Sequence, residues 1–225
     1  MPPNRVRYWL PDRTAAPTGI APMSPGPTFD RVYQALKEQL RRGRFAPGDH
    51  LEPSALGEEL NASITPVRDA LHRLVGERIV EVPRNDGFRV PAPLEAELRD
   101  LYGWNGRLVD LAIRSRGFRS GEAASPHSAD EAPADAADLF HRIAHLTGNP
   151  EHEAAIGNLS ERLAALRVAE AEIFGDLDEE LGAMRAALDA PNSPELRRLI
   201  ASYHRRRQRC APDILAAARK PRRPR

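Results

Sequence analysis

The chain has 225 residues and a mass of 24.9 kDa, 41% of it hydrophobic and 29% charged. No apolar run approaches the roughly 18 residues a membrane span needs, and the lone Cys210 excludes a disulfide framework and a cysteine-built zinc site. The opening MPPNRVRYWLPDR lacks the apolar core of a secretory signal, so a cytoplasmic protein of one or two domains with no membrane partner is expected. The net charge of +1 hides a gradient: residues 93 to 202 carry eleven basic against twenty acidic groups, and residues 203 to 225 nine against one. That basic end, HRRRQRC and then ARKPRRPR, reads as a solvated terminus or as a footprint for phosphate.

Seven of the first 28 residues are proline and apolar periodicity is absent, which predicts a disordered arm over residues 1–28. From Asp30, Val32, Tyr33, Leu36 and Leu40 recur at three- and four-residue steps, an amphipathic helix closed by Gly43. After Pro47-Gly48 a short second helix follows, with Pro53 suited to its first turn. A third starts near Ser63-Ile64-Thr65-Pro66, with Val67, Ala70, Leu71 and Leu74 as its buried stripe and Thr65, Arg68, Asp69, His72 and Arg73 left outside. Asn61 lies in the turn between the two, where positive φ is useful. Two β-type runs, Ile79 to Val82 and Phe88 to Val90, flank a Pro-Arg-Asn-Asp-Gly reversal.

Beyond Pro93 the residues favour helices: Leu94 to Arg114, Asp135 to Leu146, Glu151 to Phe174, Leu177 to Ala190 and Pro194 to Ala218. Residues 117 to 134 read as a loop. The fold expected is mainly α. A winged helix-turn-helix with a small β-wing occupies residues 29–92, an all-helical bundle residues 93–219, and a basic tail residues 220–225.

Two short helices, a tight turn and a wing form a shape that can lay its second helix in the DNA major groove. LKEQLRRGRFAPGDHL, SITPVRDALHRL and IVEVPRNDGFRV together resemble the GntR family of bacterial transcription regulators over residues 29 to 91. The resemblance implies DNA contacts from Ser63, Thr65, Arg68 and Arg73, with Gly87 letting the wing tip approach the minor groove. Ile64 stands where the family carries an arginine able to grip guanine, so either the operator read by this chain differs at that base pair or its affinity is reduced.

LFHRIAHLTGNP at residues 139 to 150, Leu101-Tyr102, and MRAAL followed by ELRRLIASYHRRR resemble the FadR-type C-terminal domain of that family, in a divergent form. Many such domains hold a divalent metal through one Asp and three His. Here the resemblance retains His141 and His204, while the other positions fall on Ala137 and near Leu181. The ligand set is therefore incomplete, and His145, one turn after His141, is the remaining candidate for a rearranged site. Family positions for Arg and Glu are occupied by Asn105 and Val109.

The resemblance implies a homodimeric repressor acting on a double-stranded DNA operator, and leaves a small-molecule effector open. The alternative is a degenerate winged helix that binds a partner protein. No P-loop, nucleophile elbow, H-E-x-x-H pair or dinucleotide turn is present, so no enzyme is expected.

Overall fold

The computed structural model describes residues 26–84, 86–115, 118, 135–190 and 194–219. The Pro-rich arm up to residue 25, the wing-tip Asn85, most of the loop at 117–134 and the tail at 220–225 lie outside the described residues. Among those described there are nine helices and isolated β-bridges.

Helix α1 (Pro27–Arg41) begins three residues before the Asp30 expected from periodicity, because Pro27 sits at its first position, where a missing N–H costs nothing. It buries Val32, Tyr33, Leu36 and Leu40. Helix α2 (Pro53–Glu59) follows, then the turn at Asn61 with φ 48°, then α3 (Ile64–Gly76), which buries Val67, Ala70, Leu71 and Leu74. From α1, Arg31 reaches across to donate to the carbonyls of Leu60 (2.8 Å) and Asn61 (3.3 Å), satisfying groups that the end of α2 leaves open. These helices share one core with Ile79, Val80, Phe88 and Val90.

The β-wing is smaller than the expected hairpin. Ile79 N–H and Val80 N–H both donate to the Leu74 carbonyl, at 3.0 and 3.3 Å, so they finish α3 instead of pairing with a strand. Pairing starts at Glu81, whose backbone exchanges two 2.9 Å bonds with Arg89, and Pro83 ends it because it has no N–H. On its other side the Arg89 segment pairs with Asp49 to Leu51, through Leu51 N–H to Phe88 O (2.8 Å) and Val90 N–H to Asp49 O (2.9 Å). Three extended segments thus meet at Arg89.

Pro91-Ala92-Pro93 leads into α4 (Glu95–Arg114), followed by α5 (Ala136–His145), α6 (Pro150–Glu170) and α7 (Leu177–Asp189). The long helix expected over 194 to 218 is two: α8 (Pro194–Arg209) and α9 (Ala211–Ala218). Pro212 breaks it, having no N–H to give the Gln208 carbonyl, which accepts instead from Arg99 at 3.1 Å. Helix α4 runs along α8 at close range, and a methyl on Gly106 would lie 2.9 Å from the His204 ring. One core gathers α5, α7 and facing parts of α4, α6 and α8, and another gathers Leu98 and Tyr102 of α4, the end of α6 and all of α9.

The basic end is therefore not a frayed terminus up to residue 219. Arg206 pairs with Asp176 at 2.6 Å, and Arg207 is fully buried, bonded to Glu170 at 2.9 Å and Glu180 at 2.5 Å beneath the Tyr203 ring. Tyr102 completes this network by donating to Glu170 at 2.6 Å. Burial, and then the charge of Glu170, holds the Tyr102 hydroxyl well above its ordinary pKa. The two halves of the chain are joined by Lys37, 3.8 Å from Glu77 and 3.6 Å from Glu161, and by Asn158 Nδ2, which donates to the Glu77 carbonyl at 2.8 Å.

Candidate nucleic-acid interface

The outer face of α3 is built by elimination: its apolar stripe is turned inward, so the residues between are presented outward. Ser63, Ile64, Thr65, Arg68, Asp69, His72 and Arg73 are all exposed, Ile64 by 51%. Ser63 is the N-cap residue, yet its side chain makes no capping bond, which leaves its hydroxyl and the first amides of α3 available to an outside acceptor. Arg68 makes no ion pair or hydrogen bond among the described residues, so neither Asp69 nor His72 holds it.

Arg73 is placed differently from the other sequence candidates. Its guanidinium lies 4.2 Å over the Tyr33 ring and its Nε is 3.3 Å from Glu77 Oε1, so it is engaged within the fold. Tyr33 donates to the same carboxylate at 2.7 Å; burial first, and the Glu77 bond second, push its hydroxyl up to about 12. Arg73 thus ties the end of α3 to α1.

Gly87, with φ 68°, has no atom within 4 Å of where a Cβ would be, so it is required for its left-handed backbone and not for space. His72 meets Phe88 edge-on at 4.9 Å, which fixes the wing beside α3. Arg84, on the approach to the wing tip, is exposed and unpaired among the described residues. Sequence reasoning treated it only as part of a reversal; a basic residue three positions before the turn glycine was the signal.

His141, His145 and His204 do not form one site. His141 is exposed on α5, His145 Nδ1 is turned to Glu153 at 3.2 Å, and His204 is buried in the bundle. His204 Nδ1 lies 2.7 Å from the Ile200 carbonyl and Nε2 lies 2.9 Å from the Asn105 side chain, so both ring nitrogens are engaged. No group of three or more His, Cys, Asp or Glu suited to a metal occurs among the described residues, and the residues at the family positions do not fit a metal.

Compared with known proteins, residues 28–90 match the bacterial regulatory proteins of the gntR family. The HTH-type transcriptional repressor GlaR of Escherichia coli K12 is 35% identical over 128 residues, covering 50% of this chain and 58% of that protein, so the match spans little more than half of the relative's length. The HTH-type transcriptional regulator McbR of the same organism is 28% identical over 180 residues, covering 77% and 78%. A solved putative GntR regulator from Rhodococcus sp. RHA1 superposes with a TM-score of 0.65 at 19% identity, over 84% of this chain and 98% of that one, a likeness of fold. No described helix is long and apolar enough to cross a membrane. With the exposed outer face of α3, the Asn61 turn and the bridged wing all falling inside the matched segment, residues 28–90 are a winged helix of the gntR family of bacterial regulatory proteins.

Proposed function

We propose that this protein is a sequence-specific DNA-binding transcription regulator, acting in the cytoplasm as a homodimeric repressor. The observation that carries the reading is Arg68: an exposed guanidinium with no partner among the described residues, on the outer face of α3 and one turn from the exposed Ser63, Ile64 and Thr65. Such a helix laid in the major groove presents its N-terminal residues to base edges, while Arg84 and Gly87 bring the wing to the adjacent backbone. The relatives named as regulators support the same assignment. The protein works by binding and not by catalysis.

Dimerisation is supported by Leu111, exposed by 55% on α4, and by the need of a single winged helix for a second half-site to gain affinity and specificity. The division into a reading domain and a helical body is supported by their separate cores.

Selection of DNA fragments by the purified full-length protein tests the reading. Enrichment of a palindrome with half-sites about one helical turn apart is expected. Recovery of no enriched sequence, together with retention of a protein partner that Ile64→Asp releases, would favour the degenerate protein-binding module, a reading to which the exposed Ile64 lends itself.

A further inference from the structure

A cleft of about 600 Å³ opens between the winged helix and the helical body, the size of a site for a small organic ligand. Val80 after α3 and Val82 and Val90 of the wing line one side and Leu101, Trp104 and Leu166 of the bundle the other, with Pro91-Ala92-Pro93 along its edge. Trp104 and Val82 are each about half exposed there, at 51% and 48%. Two arginines share the cleft: Arg78, which follows α3 directly, and the half-buried Arg162 of α6.

Neither guanidinium has an ion pair or hydrogen bond among the described residues, although carboxylates line the cleft. The reason is that three of the four acids lining the cleft are engaged elsewhere. Glu81 holds Arg89 at 2.6 Å, Glu161 holds Lys37 at 3.6 Å, and Glu97 accepts the Leu94 amide at 2.7 Å. Asp100 of α4 lines the same cleft without a side-chain partner among the described residues, and it disfavours an acid group on its own side. Burial first, and the nearby charge of Arg78 second, hold the Arg162 guanidinium below its ordinary pKa. Arg78 has the left-handed backbone, φ 61°, of a residue that closes a helix, its N–H donating to the Val75 carbonyl at 2.9 Å.

We propose that this cleft binds a small organic acid, its anionic group between Arg78 and Arg162 and its flat apolar body against Trp104, Val82 and Leu101. Guanidinium groups grip a carboxylate through paired N–H donors, and the indole face and valine side chains take up the apolar part. A ligand so placed touches the end of α3, the wing, the proline linker and the bundle at once, so its occupancy fixes the angle of the winged helix. This second consequence rests on the DNA-binding reading above; the binding itself does not.

Titration calorimetry on the full-length protein with naphthalene-2-carboxylate as the probe tests the site. Saturable binding is expected, reduced about tenfold or more by Arg162→Met and by Arg78→Met, and unchanged by Arg107→Met, which is exposed on α4 outside the cleft. The neutral 2-naphthylmethanol and acetate should each bind far more weakly, one lacking the charge and the other the body. Thermal melts confirm that the variants fold. Absence of saturable heat up to about 10 mM probe, or affinity in both arginine variants equal to that of the parent, overturns the site. A probe that binds in calorimetry yet leaves affinity for the selected operator unchanged overturns the coupling alone. Failure to select any operator removes the DNA-binding reading and leaves the calorimetric result to decide the site.

Discussion

Asn105 of α4 and His204 of α8 meet at 2.9 Å inside the helical bundle, and the proton inventory fixes the sense of their bond. The Ile200 carbonyl, 2.7 Å from His204 Nδ1, can only accept, so Nδ1 carries the hydrogen. Burial holds the ring neutral, pulling its pKa down to about 3 against the weaker pull of the Ile200 bond, so Nε2 offers a lone pair. The end of the Asn105 amide that faces it is then the NH₂, which otherwise has no partner, at the expense of a long 3.4 Å contact between that amide and Arg167. An imidazole held in this way is a structural group with no lone pair left for a metal.

Acid should therefore destabilise the fold in a definite window. The folded pKa of His204 lies below that of a free histidine, so the unfolded chain binds the additional proton between about pH 6.5 and 3, and stability falls as pH drops through that range. The loss at pH 5 should be on the order of 1–2 kcal/mol. Urea unfolding at pH 7 and pH 5 measures it; a pH dependence as large in His204→Gln as in the parent would show that other groups are responsible.

Two arginines of α3 should separate recognition from stability. Arg68→Ala is expected to weaken operator binding by about 1–3 kcal/mol with no change in melting temperature, since its exposed side chain makes no ion pair or hydrogen bond among the described residues. Arg73→Ala should lower the melting temperature, because it removes the nearer cation over Tyr33 and one partner of Glu77. Fluorescence anisotropy with the operator and a thermal melt on each variant check both halves.

Ile64 gives a prediction about sequence preference. An apolar side chain at the start of α3 has no means of choosing guanine, so Ile64→Arg should create a guanine preference worth about 1–3 kcal/mol at the facing base pair. The informative quantity is the affinity ratio between two operators differing only there. A ratio that the substitution leaves unaltered would place residue 64 away from the bases.

Neighbouring arginines near the C-terminus should behave in opposite ways. Arg207→Met leaves the buried Glu170 without its cation, takes one of two from Glu180, and should cost about 3–5 kcal/mol, whereas Arg209→Met, at an exposed position, should cost less than about 0.5 kcal/mol. Denaturant midpoints for the two variants test this. Truncation after Gln208 should prevent folding, since it deletes Ile214 and Leu215 from the core, while truncation after Arg219 should preserve the fold and flatten the salt dependence of DNA binding if the last residues touch phosphate.

The winged helix was legible in the sequence because its signals are local. Asn61, the Val67-Ala70-Leu71-Leu74 stripe and the turn glycine each declare a backbone state or a face without reference to distant residues. The wing was overestimated because Ile79 and Val80 have strand-type side chains, while their N–H groups go to the Leu74 carbonyl, a competition that composition does not reveal. Arg206 and Arg207 read as part of a solvated run for a similar reason: their partners Asp176, Glu170 and Glu180 lie about thirty residues away on other elements. The break at Cys210 was signalled by Pro212 and masked by the alanines around it. The pairing of Asn105 with His204 depends on α4 meeting α8, ninety-nine positions apart, and no spacing rule reaches that far.

Arg31 binds the Leu60 and Asn61 carbonyls from α1 while Arg73 and Glu77 bind Tyr33 from the far end of α3, so the reading head is buttoned at both ends. A part fastened in this way has no soft joint of its own. Any message passing between the bundle and a bound operator has to travel as a tilt of the whole head about Pro91 and Pro93, carried as an angle and not as a change of shape.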